Sequence, residues 1–292
     1  MKILLFGKNG QLGWEARRTL ASLGEVVALG SQDLDLTRLD ELAQIVRQVR
    51  PDVIFNAAAY TAVEKAESEP DLAMLINAKA PGVMAEEARK LNAVLIHYST
   101  DYVFDGKKGA PYIETDPTNP LNVYGQSKLA GEQVIGQVGG AYVILRTSWV
   151  YSLRGSGFVS KVLEWSRKQE TLRVVNDQVG SPTWARMLAE VSSAMLARGG
   201  IGLYSYFVER CGVYHVGGIG GVSRFDFAQK ILRLDPFSQE QIIKHLQPAL
   251  TTDFPTPAQR PLMTLLDSSL FGMKFDLRLP NWEESLVMAM EK

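Results

Sequence analysis

Continuous apolar runs recur through the first half of the chain, each followed by a stretch whose apolar positions fall three and four residues apart. Residues 2–6 form the first run, a buried strand that enters Gly7-Lys-Asn-Gly10-Gln-Leu-Gly13 directly. A helical pattern follows through Leu12, Ala16, Leu20 and Leu23 and stops at Gly24. Residues 25–30 make the second strand. Thr37 is the expected N-cap of a helix that turns Leu39, Leu42, Ile45, Val46 and Val49 to one face and ends before Pro51. Strand three spans 52–59, helical segments fill 71–92 with an interruption near Pro81, and strands four and five span 93–100 and 141–148. A period of 3.6 alternating with unbroken apolar runs predicts a parallel sheet covered by helices on both faces.

Beyond Trp149 the punctuation is denser. A helix over 158–168, a strand over 172–175, a loop over 176–183 and a helix over 184–198 still read as α/β units. Residues 212–218 make a last strand, and Ser223 caps a helix over Phe227 and Ile231. From Pro236 onward no strand alternation is visible, and a short helix follows Pro280. No repeat or low-complexity linker separates the two halves, so the second lobe is expected to pack directly on the first.

Composition narrows the function classes. Hydrophobic residues make up 46% and charged residues 22% of 292, enough for a substantial core, and the net charge of -1 argues against a general polyanion binder. No basic run suggests nucleic acid or a membrane surface. A lone Cys211 excludes an internal disulfide framework, and three scattered histidines leave no metal-ligand spacing. The apolar run at the N-terminus is too short for a signal peptide and none elsewhere is long enough to span a bilayer, so a cytoplasmic protein is expected.

Three stretches carry candidate chemistry. Tyr124 and Lys128 share one helical face a turn apart. A free phenol holds its proton too tightly to exchange it near neutrality, and a neighbouring ammonium lowers that affinity, as a general acid/base tyrosine requires. Gly7, Gly10 and Gly13 sit between a strand and a helix, where missing side chains let a pyrophosphate approach backbone N–H groups; a purely structural turn is the bland alternative. At the end of strand four, Ser99 or Thr100 is placed to hydrogen-bond a substrate oxygen, in the crevice where open parallel sheets bind ligands, unless the Ser-Thr-Asp run only closes a turn. The acid that commonly ends strand two is absent, since Gly30 stands there, while Asp33 and Asp35 follow. That removes one repulsion against a 2′-phosphate, and Lys8 adds an attraction, so NADPH is favoured with NADH tolerated.

Together, Gly7-x-x-Gly10-x-x-Gly13, Asn56-Ala-Ala-Ala59, the Ser99-to-Asp105 stretch and Tyr124-Gly-x-Ser-Lys128 resemble the extended short-chain dehydrogenase/reductase superfamily. Within it, the stretches 56–67, 120–124, 146–151 and 176–183 resemble the dTDP-4-dehydrorhamnose reductase family, and the likeness returns at 255–261 and 280–282. Residues 199–212 match nothing in that pattern and read as a family-variable insertion. The resemblance implies a Rossmann-type doubly wound parallel sheet over residues 1–150, with units to about 218 returning to it, and a smaller, mainly substrate-binding lobe over 151–292. It implies reduction of dTDP-4-dehydro-6-deoxy-L-mannose to dTDP-L-rhamnose. In that reading Tyr124 donates a proton, Lys128 lowers the tyrosine pKa and binds the nicotinamide ribose, and Thr100 polarises the carbonyl. The cofactor set is Gly7, Asn9, Gly10, Gln11, Leu12, Gly13, Asp35, Leu36, Ala57, Ala58, Ala59, Tyr60, Thr61, Tyr124 and Lys128. The substrate set is Val63, Thr100, Asp101, Tyr102, Trp149 and Arg260, the last as partner of the diphosphate.

Two departures from relatives are informative. Tyr102 stands where relatives that dehydrate or epimerise sugars place an acid, which favours simple reduction. Some relatives form a dimer bridged by Mg2+ through clustered glutamates; Glu15 fits, but Arg186 and Lys292 stand at the partner positions, and cations there repel a metal. A homodimer of another kind stays open. The competing functions are a non-catalytic regulatory subunit of the same fold, like the one that modulates a methionine adenosyltransferase, and a reductase of another nucleotide sugar.

Overall fold

Five strands follow the order read from the sequence in the computed structural model, which describes residues 1–291: β1 (Lys2–Phe6), β2 (Glu25–Leu29), β3 (Val53–Asn56), β4 (Val94–Thr100) and β5 (Tyr142–Thr147). A sixth strand, Gly212–His215, joins the sheet beside β5, and the spatial order from that edge is Gly212–His215, β5, β4, β3, β1, β2. Every pairing is parallel. Alternate residues of each strand point to opposite faces. Ile3, Leu5, Phe55 and Ile96 pack with Leu12, Ala16 and Leu188 on one face, and Leu4, Ile54, Leu95 and Ile144 pack with Leu42, Val46 and Met84 on the other. Both faces are dry, which is why these strands read as unbroken apolar runs.

The chain leaves β1 for β2 on one side, then crosses back to lay β3 on the other. This reversal opens a crevice at the strand C-termini, between the loop after β1 and the loop after β3. The helix Ala185–Ala197 lies against Gln11–Thr19 and adds Leu188, Ala189 and Met195 to the sheet's core, so the second half of the chain returns to the first. A separate hydrophobic cluster of Tyr151, Val159, Val162, Phe227, Ile231 and Leu286 is drawn wholly from the second half of the chain.

Several local expectations are corrected. Thr37 does not cap the following helix. Its N–H donates to the Asp35 carboxylate, and the helix Leu39–Val49 starts after Arg38 without a side-chain cap. Pro81 lies inside continuous helical backbone from Pro70 to Leu91, and the irregularity is a wide turn at Leu75–Lys79 just before it, where the ladder shifts ahead of a residue with no N–H to donate. The tail does hold a strand: His245–Ala249 pairs in parallel with Thr171–Val175. Pro248 and the strand's solvent-facing positions hide it from pattern reading. The helix Ser269–Phe275 was also not visible in the sequence pattern; it buries Phe271 and Phe275 against Tyr214. Residues 199–212 contain the helix Leu203–Val208, whose Phe207 is buried beside Phe275. Among the described residues no helix is long and apolar enough to cross a membrane.

Candidate active site

The glycine loop is shaped by close approach. Gly7 adopts φ +88°, and a Cβ there would lie 2.8 Å from the backbone of Ala57 and Ala58. A Cβ on Gly13 would lie 2.0 Å from the Gly7 carbonyl oxygen, so that glycine lets the helix Gln11–Thr19 sit on the loop. Gly10 is different. It is the N-cap of that helix, has no capping side chain, and a Cβ on it would meet only the Gly7 oxygen, at 3.4 Å. The space in front of the helix N-terminus is left open, with unshared N–H groups beside it.

A cavity of about 790 Å³ occupies that space and runs along the strand ends. Gly7, Asn9, Gly10, Gln11 and Leu12 line it, as do Gly30, Asp35 and Leu36 towards β2, Ala57, Ala58, Ala59 and Thr61 after β3, and Tyr124 and Lys128 at the far end. Gln11 Oε1 and Thr147 Oγ1 are buried without a partner among the described residues, and both residues line this cavity. Of the cofactor residues read from the sequence, Gly13 and Tyr60 lie outside the lining. Tyr60 is turned away: its hydroxyl donates to Glu69 (2.6 Å) and its N–H to the Asn77 side chain (2.8 Å). Lys8 forms an ion pair with Asp33 (2.6 Å), which also accepts the Gly30 N–H (2.7 Å). Its charge is therefore already engaged, so the openness of the ribose end rests more on the missing acid at Gly30 than on Lys8.

Tyr124 and Lys128 are carried by the helix Val123–Val138, whose N-cap Asn122 accepts the Gly125 N–H (2.8 Å). Burial pushes the Tyr124 phenol above its ordinary range, and a hydrogen bond with Thr100 opposes that shift. Lys128 is buried, and desolvation pulls its pKa down to about 8. Its Nζ donates to the Tyr98 carbonyl (2.6 Å) and lies 3.1 Å from His97 Nε2. The expected lowering of the tyrosine pKa by the lysine is not found: desolvation raises it, and the opposing influence comes from Thr100. Below the pair, Glu132 is held by a buried fork from Arg146 (2.7 Å at Nη2) and by the Ser99 hydroxyl.

Asp101 is fully engaged inside the protein. Its carboxylate accepts hydrogen bonds from Thr100 (3.1 Å), Ser148 (2.9 Å) and Thr264. It orients Thr100 and ties the end of β4 to the C-terminal segment. Tyr102 packs edge-on to Tyr124, with ring centroids 5.9 Å apart. Val63 opens the short helix Val63–Ala66, whose Glu64 binds Arg260 at 2.6 Å. Trp149 has φ +45°, and the Arg224 guanidinium stacks 3.5 Å from its ring centroid.

Arg260 belongs to a second cavity, of about 400 Å³, lined by side chains from the second half of the chain. Lys161, Arg173 and Arg224 line it together with Phe158, Trp165 and Phe254. Arg173 and Arg260 have carboxylate partners, Asp253 and Glu64; among the described residues neither Lys161 nor Arg224 has one. Burial lowers the Arg224 pKa to about 10, which still leaves it charged near neutrality. Sequence reading found only Arg260 of these. One signal was available: Arg224 opens the helix Arg224–Leu234, where a cation opposes the helix dipole and gains nothing structurally. Arg186, one of the two cations set against a bridging metal, pairs with Glu190 (2.8 Å), while Lys292 lies outside the described residues.

Comparison with known proteins gives one consistent answer. The family model described as the RmlD substrate binding domain matches residues 1–292. A dTDP-4-dehydrorhamnose reductase of Burkholderia thailandensis is 42% identical over 290 residues, covering 97% of this chain and 95% of that protein. The enzyme of the same name from Escherichia coli K12 is 41% identical over 288 residues, covering 97% and 95%. A crystal structure of a dTDP-4-dehydrorhamnose reductase from Clostridium acetobutylicum superposes with TM-score 0.89 at 36% identity, covering 99% of this chain and 98% of that one. A Bacillus anthracis reductase in complex with NADP superposes with TM-score 0.87 at 34% identity, covering 98% and 96%. A fold with an open helix N-terminus at the cavity, a half-buried Tyr124 one turn from a buried Lys128 and full-length similarity to these enzymes places the chain in the dTDP-4-dehydrorhamnose reductase family.

Proposed function

We propose that this protein reduces the 4-keto group of dTDP-4-dehydrorhamnose to give dTDP-L-rhamnose, using NADPH. The observation that carries the reading is that Tyr124 and Lys128 line one end of a cavity whose other end is a glycine loop with open helix N–H groups, with Thr100 behind the lining and hydrogen-bonded to Tyr124. Gly7, Asn9, Gly10 and Gln11 would hold the pyrophosphate, and Lys128 and Thr147 the nicotinamide end. Bound there, the cofactor supplies the hydride for the ketone carbon. Negative charge then develops on the carbonyl oxygen, and the protein's task is to neutralise it. Tyr124, kept protonated by burial, gives its proton to that oxygen, and Thr100 donates a second hydrogen bond once its single hydroxyl proton turns from Asp101 to the substrate. A protonated Lys128 one helical turn away offsets the charge left on the phenolate. The reaction therefore slows as Lys128 loses its proton, and the alkaline limb of kcat/KM should fall near pH 8 rather than in the ordinary lysine range. A limb above pH 10 in initial-rate profiles would remove Lys128 from this role.

The second cavity suits a deoxynucleoside diphosphate, with cations for the phosphates and aromatic rings for the base. Arg224→Ala should raise the KM for the dTDP-sugar by roughly ten- to a hundredfold, the range of a lost charge-assisted hydrogen bond, with the KM for NADPH unchanged. Equal effects on both would place Arg224 elsewhere. At the other end, Gly30→Asp should raise the KM for NADPH by at least about tenfold and spare NADH, because a carboxylate there repels a 2′-phosphate and suits a ribose hydroxyl. The new Cβ would lie 2.7 Å from Asn9 Nδ2 and 3.4 Å from Lys8 Cγ, both side-chain atoms that can shift. The reading as a whole is tested by NADPH oxidation with dTDP-4-dehydrorhamnose and identification of the product. Well-folded protein that binds NADPH but turns over no nucleotide sugar would refute it.

A further inference from the structure

Behind Lys128, away from the cavity, lies a chain of buried polar groups. The Ala58 N–H donates to an Asn56 side-chain atom 3.1 Å away, and the other end of the Asn56 amide lies 3.0 Å from His97 Nδ1. His97 Nε2 lies 3.1 Å from Lys128 Nζ. Asn56, His97 and Lys128 are all buried. The donor–acceptor roles follow from one end. A backbone N–H can only donate, so the atom facing it is Asn56 Oδ1. The amide nitrogen then faces His97 Nδ1, and because it too can only donate, Nδ1 carries no proton. Burial and the neighbouring Lys128 keep the ring neutral, so its single proton resides on Nε2, pointing at Lys128. An ammonium offers that N–H no lone pair, whereas an amine does, and an amine keeps a hydrogen for the Tyr98 carbonyl.

We propose that His97, its ring locked by Asn56, is a positioning residue that favours the neutral amine of Lys128 by presenting an N–H to it. The charged and titratable groups around Lys128 are Tyr124 and Glu132 on its own helix, His97 on β4 and, beyond Glu132, Arg146 on β5. Glu132 pulls towards the ammonium, and burial and the His97 N–H pull towards the amine. The balance sets the pH at which Lys128 loses the charge that offsets the phenolate, and so where the alkaline limb of the rate falls. The inference rests on Lys128 belonging to the proton-handling group described above.

The test uses the full chain labelled with nitrogen-15 histidine and carbon-13 lysine, with His97→Gln and Lys128→Met identifying the signals. In wild-type protein His97 should show a bare Nδ1 and a protonated Nε2, and Lys128 should titrate at or below about 8. Asn56→Asp offers Nδ1 an acceptor, moves the proton and makes Nε2 the acceptor, so the proton affinity of Lys128 should rise by about tenfold or more. The same substitution beside His97→Gln should add little to that single variant. A protonated Nδ1 in wild-type protein, which needs no variant to fold, would overturn the proposal. So would a Lys128 midpoint unmoved by Asn56→Asp, or an equal rise without the ring, which would be the effect of charge alone. None of these readouts requires turnover, so their failure leaves the reductase reading standing and failure of the reductase assay leaves them interpretable.

Discussion

Tyr124→Phe is expected to lower turnover by about two to four orders of magnitude while leaving NADPH affinity close to that of the wild type. The substitution removes one oxygen and keeps the ring, so the edge-on packing against Tyr102 and the helix Val123–Val138 are preserved. What disappears is the proton donor. Burial holds that phenol protonated well beyond neutral pH, so it is stocked with a proton whenever substrate arrives. Thr100 still donates to the developing oxyanion in the variant, so some rate survives. Initial rates and a cofactor titration on the same preparation separate the two effects. Near-wild-type turnover would assign the proton to another group, and loss of cofactor binding would mean that the phenol shapes the cavity rather than the chemistry.

Glu132→Ala is expected to cost about 3–5 kcal/mol of folding stability. The carboxylate and the Arg146 guanidinium are both buried, joined by a two-pronged contact with bonds of 2.7 Å and 3.0 Å. Removing the acid strands a cation between β5 and the helix that carries the site, and also frees the Ser99 hydroxyl. Replacing both partners, Glu132→Leu with Arg146→Leu, should cost less than Glu132→Ala alone because no charge is left unpaired. Urea unfolding of the single and double variants measures this. A single variant as stable as the wild type would show that water reaches the pair.

The sheet was legible because its inner strands β1, β3, β4 and β5 are dry on both faces. Ile3, Leu4 and Leu5 face opposite sides yet are all buried, so the run is unbroken in the chain as well as in the fold. The glycine loop and the Tyr124–Lys128 pair were legible because each is local: its spacing is its geometry. What stayed hidden depends on distant residues. Asp101 reads as a ligand-facing acid at a strand end, but Thr264, far along the chain, closes over it. Arg224 and Lys161 are ordinary surface cations in sequence, and only tertiary packing brings them to one cavity with Arg260. His97 lies inside an apolar strand, and nothing nearby in the chain reveals that Asn56 and Lys128 flank its ring. His245–Ala249 forms a strand only because Thr171–Val175 is there to pair with it.

The central claim is that one phenol and one hydroxyl, converging on a sugar carbonyl oxygen above this sheet, carry the reaction. A crystal structure with NADPH and dTDP-L-rhamnose bound tests it most directly. The product's O4 should lie within hydrogen-bond distance, about 2.6–3.2 Å, of both Tyr124 Oη and Thr100 Oγ1, with the diphosphate beside Arg224 and Arg260. A sugar ring bound with O4 out of reach of Tyr124 would contradict the account.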